Sequence, residues 1–153
     1  MSPVINRYFT KPKIYMVVGV PCSGKSWVCE QLTEEFEYIP HDYVGHYNEK
    51  DAYLLDILDL ADKSDKDILI ETPFSMNEYQ KPLEEQSYEV IPVFIIESPV
   101  VLSKRYKDRE GKVYPKGNLT RNQTFMKRAM DSGLFKGTSE EVLIHLKEMV
   151  RED

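Results

Sequence analysis

Between positions 19 and 26 the chain reads Gly-Val-Pro-Cys-Ser-Gly-Lys-Ser, the spacing G-x-x-x-x-G-K-[ST], and this stretch limits the fold more than any other. The pattern carries meaning only between a strand and a helix. Both flanks suit it. Ile14-Tyr15-Met16-Val17-Val18 is a short apolar run rich in β-branched residues, as a buried strand requires. Downstream, Val28, Leu32 and Phe36 recur every four residues, which predicts one apolar face of a helix. A loop in this position wraps polyphosphate by aiming several backbone N–H groups at one anion, and glycines at 19 and 24 permit the dihedrals and the close approach. The helix opening near Lys25 adds its positive dipole end. Lys25 is expected to neutralise the β- and γ-phosphates and the Ser26 hydroxyl to ligate Mg²⁺, so ATP and Mg²⁺ are the expected cofactors. The expected nucleotide-binding set from the motif is Gly19, Pro21, Cys22, Ser23, Gly24, Lys25, Ser26 and Trp27.

A length of 153 residues suits a single domain, 1–153, with a core of ordinary size, and 41% hydrophobic with 30% charged residues is a globular composition. No apolar run approaches the roughly 20 residues that cross a bilayer. Residues 1–13 lack the apolar centre of a signal peptide, so the expected location is the cytoplasm, that of a host if the chain is phage-encoded. The cysteines, Cys22 and Cys29, lie in or beside the loop, where neither a disulfide framework nor a zinc site is expected. The net charge of −6 conceals an asymmetry: residues 104–128 hold nine basic side chains against Asp108 and Glu110. A basic segment on an otherwise acidic chain suits a localised polyanion site.

Glu37-Tyr38-Ile39-Pro40 is expected as a second strand, which puts His41-Asp42-Tyr43 on the loop at its carboxyl end, where open α/β sheets handle ligands. Residues 49–61 predict a helix with Leu54, Ile57, Leu58 and Ala61 inward and Asp56, Asp59 and Asp62 solvated. Asp67-Ile68-Leu69-Ile70-Glu71 predicts a buried strand, and residues 77–86 a helix kinked or split at Pro82. Residues 89–96 form the most strand-like run, with Pro92 implying a bulge or an edge. Ser98-Pro99 opens a helix that Gly111 stops. A mobile loop is expected over 110–119, then a helix opened by the box Thr120/Gln123 and a last one opened by Thr138/Glu141. Alternating strands and helices imply an α/β fold, a mainly parallel sheet with helices on both faces.

The N-K-x-D of a GTPase is not found, nor are the four apolar residues before Asp-Glu of an ATPase motor. The loop followed by Trp27, the segment His41-Asp42-Tyr43, Ile70-Glu71-Thr72 with Asn77, and Lys104-Arg105 with Arg109 and Gly111 together resemble the kinase domain of phage polynucleotide kinase, in order from about residue 13 to residue 130. The resemblance implies the P-loop nucleoside triphosphate hydrolase fold, with a lid around 104–128. It implies that Asp42 is the general base, with Tyr43 beside it on the acceptor side. Arg105 and Arg109 would contact ATP phosphates and stabilise the transferring group, and Arg121 would be a third contact. Lys25, Asp42, Arg105 and Arg109 are thus the expected catalytic residues. Glu71 and Thr72 match a position that holds either the acceptor or the metal's water shell, with Glu here in place of the family's Asp.

Three departures stand out. Cys22 replaces the family's usual glycine, so no positive φ is expected there. Trp27 follows Ser26 directly, and the D-x-D-x-T phosphatase signature is missing, so the second activity of the bifunctional phage enzyme is not expected. The expected function is an ATP-dependent kinase acting on a nucleic-acid or nucleotide hydroxyl, foremost a polynucleotide 5′-hydroxyl. Tyr38, Tyr43, Tyr47 and Tyr53 are placed to stack on bases, although core packing is the commoner fate of such residues. The alternatives are a small nucleoside or nucleoside monophosphate kinase, and a non-catalytic nucleotide-binding accessory protein.

Overall fold

A computed structural model describes residues 11–20, 22–40, 50–72 and 77–152. Five parallel strands run through it: β1 (Ile14–Val18), β2 (Glu37–Ile39), β3 (Ile68–Thr72), β4 (Val90–Ile95) and β5 (Lys136–Gly137), in spatial order β2-β3-β1-β4-β5. The helices are α1 (Lys25–Glu30), α2 (Lys50–Lys63), α3 (Asn77–Glu85), α4 (Pro99–Glu110), α5 (Lys116–Asp131) and α6 (Ser139–Glu152). No helix among the described residues is long and apolar enough to cross a membrane. β1 lies centrally, Ile14 aligned with Ile68 on one side and Val90 on the other, and all five of its residues are buried. A strand covered on both faces must be apolar throughout, which is why this one reads as a continuous run.

The two-residue period of the strands sorts their side chains into two cores. Ile14, Met16, Val18, Ile68, Ile70 and Phe94 pack on one face with Tyr53, Ile57, Leu83, Leu102 and Phe125 from α2, α3, α4 and α5. Tyr15, Val17, Leu69, Val93 and Ile95 pack on the other with Val28, Leu32, Val142 and Leu146. Each fully buried aliphatic side chain contributes roughly 1.5–3 kcal/mol. The same parity has a functional consequence: Glu71 follows Leu69 onto the face covered by α1, at the carboxyl edge of the sheet.

Pro92 proves to be an edge residue. The N–H groups of Phe94 and Ile96 donate to Phe135 and Gly137 on the β5 side, and residue 92 has the same parity, but β5 pairs only with Phe94 and Ile95. Its missing N–H therefore leaves no ladder bond unmade. Pro82 lies within α3. Ser98 caps α4 by accepting from the Val101 N–H at 3.2 Å, and Gly111 ends that helix at φ 70°. Thr138 and Glu141 form the expected reciprocal box, with bonds of 2.9 and 3.3 Å.

Three expectations are corrected. α1 ends at Glu30, and a turn bonded Leu32 N–H to Cys29 O and Phe36 N–H to Leu32 O carries the rest of the apolar face inward. The connection after α4 spans only residues 111–115, because α5 begins at Lys116, straight after Pro115. Thr120 accordingly lies inside that helix and bonds back to Lys116 O at 3.4 Å. The two-residue β5 is too short to leave a periodic trace in the sequence.

Candidate functional site

The loop leaves the carboxyl end of β1 and returns under α1. Its first residue is tied to β3 by the Gly19 N–H bond to Thr72 O at 3.4 Å, and the Ser23 N–H closes the turn on Val20 O at 3.2 Å. Glycine is required at both ends of the motif. A Cβ on Gly19 would run into Ser23 Oγ, and Gly24 has φ 100° with Ser139 packed against it. Cys22 also lies in the left-handed region, at φ 68°. The expectation that a non-glycine residue here signals an ordinary backbone is thus overturned: the turn demands this dihedral whatever side chain it bears. Both cysteines are free thiols, and burial with the nearby Glu71 carboxylate pushes the Cys29 thiol well up.

Lys25 Nζ folds back to donate to Gly19 O at 2.6 Å. Burial draws its pKa down to about 8, against the pull of the Glu71 carboxylate. Glu71 is 2% exposed and accepts bonds from Ser26 Oγ at 3.1 and 3.2 Å and from the Tyr38 hydroxyl at 2.6 Å. Burial and that bond raise the Tyr38 pKa, so the phenol remains a donor. The Tyr38 hydroxyl is therefore committed to the Glu71 carboxylate. Tyr53 is buried and donates to Ile39 O at 2.7 Å.

A cavity of about 530 Å³ opens over the loop, lined by Cys22 to Trp27 together with Val20, Glu71, Arg105 and Arg109. That is the size of a cofactor site. A second hollow of about 380 Å³, between Trp27, Arg105, Ser139 and Glu140, shares Gly24, Trp27 and Arg105 with the first. Arg105 donates through Nη1 to Cys22 O at 3.1 Å and Ser23 O at 3.0 Å, and through Nη2 to Ser139 Oγ at 3.5 Å, with Glu97 at 3.7 Å. Sequence reasoning placed Arg105 on phosphate and missed its grip on the loop backbone. No sequence signal marks the clamp, since its acceptors are carbonyls of remote residues. Arg109 reaches the cavity and pairs with Glu110 at 3.1 Å, both exposed.

Of the expected site residues, Gly24, Lys25, Ser26, Cys22, Ser23, Trp27, Glu71, Arg105 and Arg109 surround this one cavity. Thr72 is fully buried, and neither it nor the exposed Arg121 lines the cavity. Pro21, Asp42, Tyr43 and Tyr47 lie outside the described residues.

The donors fit the expected cofactors. A hydroxyl and a carboxylate are hard oxygen donors, and Mg²⁺ takes one or two such groups with water and phosphate oxygens completing its shell. Among the described residues no group of three or more His, Cys, Asp or Glu side chains gathers as a denser metal site. Ser23 Oγ is buried beside Gly19 without a protein partner, a polar atom inside the cradle.

No protein-family model matches the chain, and no curated protein matches it. Solved structures do. A gluconokinase from Sinorhizobium meliloti 1021 is 19% identical, with 92% of this chain and 95% of that one covered and a TM-score of 0.63. The Deinococcus radiodurans tunicamycin resistance protein is 11% identical, with 92% and 96% covered and a TM-score of 0.69. A shikimate kinase from Aquifex aeolicus is 19% identical, with 91% and 96% covered and a TM-score of 0.55. At these identities the likeness shows the fold alone, the α/β fold of P-loop nucleoside triphosphate hydrolases with a parallel sheet covered on both faces.

Proposed function

We propose that the protein is an ATP-dependent phosphotransferase that moves the γ-phosphoryl group of ATP to a hydroxyl. One observation carries the reading: a loop with both glycine requirements met presents Lys25 and Ser26 beside a buried acid at the carboxyl edge of a parallel sheet. Backbone N–H groups and Lys25 would bind the β- and γ-phosphates. Ser26 and Glu71 would hold Mg²⁺, which when bound neutralises charge on those phosphates. Arg109, on the cavity wall, brackets the transferring group. Asp42 follows Ile39, the last residue of β2, by three positions and is the proposed base. It takes the proton from the acceptor hydroxyl as the new O–P bond forms and the bond to ADP breaks.

For the acceptor we favour a polynucleotide 5′-hydroxyl. The ordered motif set supports this, as do exposed basic side chains along α4 and α5, among them Lys104, Lys107, Lys116, Arg121, Lys127 and Arg128. The second reading is a small-molecule acceptor, such as a nucleoside or nucleoside monophosphate. It is favoured by the likeness over nine-tenths of the chain to proteins described as gluconokinase and shikimate kinase. Labelled ATP with Mg²⁺ and a panel of a 5′-hydroxyl oligonucleotide, nucleosides, monophosphates and sugar acids separates them. Label on the oligonucleotide supports the first, label only on small acceptors replaces it with the second, and ATP binding with no transfer to any acceptor leaves a non-catalytic nucleotide binder.

A further inference from the structure

Tyr38 and Glu71 meet because of the sheet. β2 and β3 run in parallel with Tyr38 aligned to Leu69, so Tyr38 and Glu71 share a face and stand one diagonal step apart at the carboxyl edge. A tyrosine is long enough to cover that step, and its hydroxyl reaches Glu71 Oε2 at 2.6 Å. Among the described residues this is the shortest bond to the carboxylate, and bonds to ionised acceptors are the strong ones. The opposite face locks the same register: the Glu71 N–H donates to the Tyr53 hydroxyl at 3.4 Å, and that hydroxyl donates to Ile39 O at 2.7 Å, the residue after Tyr38. Glutamate has one more rotatable bond than aspartate. A carboxylate on that longer stem needs another anchor to keep one orientation.

We propose that Tyr38 is a positioning residue for the divalent cation: by holding Glu71 Oε2 it keeps the carboxylate turned to the Ser26 hydroxyl, in the orientation that receives Mg²⁺ beside bound ATP. This rests on the phosphotransferase reading and deepens it. Tyr38 touches neither nucleotide nor metal and acts through Glu71. The ring packs against the core that α1 covers, so removing only the hydroxyl preserves the packing.

The test is the gain in ATP affinity conferred by Mg²⁺, measured calorimetrically as the ratio of Kd in EDTA to Kd in excess Mg²⁺. Tyr38→Phe should reduce that ratio by roughly 10-fold or more, the usual size of an outer-shell loss, while the Kd in EDTA changes by less than about twofold. Mn²⁺ titration followed by electron paramagnetic resonance should show the same loss for the Mn²⁺–ATP complex. Glu71→Asp, which withdraws the acid from Tyr38 yet keeps its charge, should lose a similar factor, and adding Tyr38→Phe to it should cost little more. A purely structural tyrosine would lower Tm and shift both Kd values together, leaving the ratio intact; that result overturns the proposal alone. Wild-type protein that gains nothing from Mg²⁺ overturns the proposal and the phosphotransferase reading together.

Discussion

Gly24→Ala isolates what the loop requires of its backbone. Placing an L-residue in the left-handed region costs roughly 1–2 kcal/mol, and the stiffer unfolded chain offsets about 0.4–1 kcal/mol of that. Gly111 supplies the control: at φ 70° it has the same kind of dihedral, but an added Cβ meets nothing within 4 Å. Gly111→Ala should therefore destabilise by about 0.5–1 kcal/mol. At Gly24, φ is 100° and the new Cβ would stand 3.0 Å from Ser139 Cβ, 3.4 Å from Ser139 Oγ and 3.5 Å from Arg105 Nη1. Ser139 has little room to yield, because it is 4% exposed and its N–H is bonded to Glu97 at 3.1 Å. Overpacking of this kind adds roughly 1–3 kcal/mol, for a total near 1.5–4. At 2–4 °C per kcal/mol for a chain of this size, Tm should fall by roughly 8 °C for Gly24→Ala against roughly 2 °C for Gly111→Ala. Thermal unfolding measures the first effect and calorimetric titration with ATP the second, since only Gly24→Ala displaces the phosphate cradle. Equal Tm shifts together with equal ATP affinities would refute the account of the loop given above.

Asp42→Asn should retain ATP binding while turnover falls by roughly 10²- to 10⁴-fold, and unchanged turnover in a steady-state assay would remove Asp42 from its role as base. Arg105→Lys should lower Tm and ATP affinity together, because an ammonium cannot bond the Cys22 and Ser23 carbonyls and Ser139 in one plane; Arg109→Lys should lower turnover with Tm unchanged. The Thr138 N–H donates to the Glu141 carboxylate at 2.9 Å and, with the Thr138 hydroxyl beside it, holds that carboxyl below its ordinary pKa. An acid lowered in the folded state adds stability above its ordinary pKa and loses it as pH falls through the lowered value. Glu141→Gln should therefore be less stable than the parent near neutrality and converge with it in acid, as urea titrations at several pH values would show.

The parts of the fold legible in the sequence are those where local chemistry and burial agree. β1 is apolar throughout and β3 apolar over Ile68–Ile70 because both faces are covered, and the Thr138/Glu141 box opens a helix because Val142 and Leu146 then fall on the buried stripe. Thr120/Gln123 has the same local pattern and does not begin a helix. Burial of Asn122, Phe125 and Ala129 continues the stripe, and Pro115 gives the chain an earlier place to start. Gly117, a helix breaker by composition, concealed that turn. Within the site, the motif announced Lys25 and Ser26, and strand parity makes Glu71 intelligible once the sheet order is known. The Arg105 clamp was not legible, because its partners lie 82 and 83 residues away and are backbone atoms that any residue type would offer.

Arg105 and Arg109 differ in what holds them. Arg105 spends its hydrogen bonds on the carbonyls of Cys22 and Ser23 and on Ser139, which joins the loop to the start of α6 and, through Glu97, to the end of β4. A guanidinium so engaged stiffens the left-handed turn at Cys22, and turning it toward a phosphate would release those carbonyls. Arg109, one helical turn further on, pairs among the described residues with its exposed neighbour Glu110, an attachment worth at most about 1 kcal/mol. If the proposed phosphoryl transfer occurs here, the charged oxygens of a phosphate would outcompete so weak a partner for Arg109, whereas Arg105 would have to give up its loop bonds. Under the proposed phosphotransferase reading, loop geometry and transition-state charge would depend on different arginines of the same helix. That arrangement explains how a cysteine can occupy a position whose dihedral favours glycine: the clamp on its carbonyl opposes the strain that its own Cβ introduces.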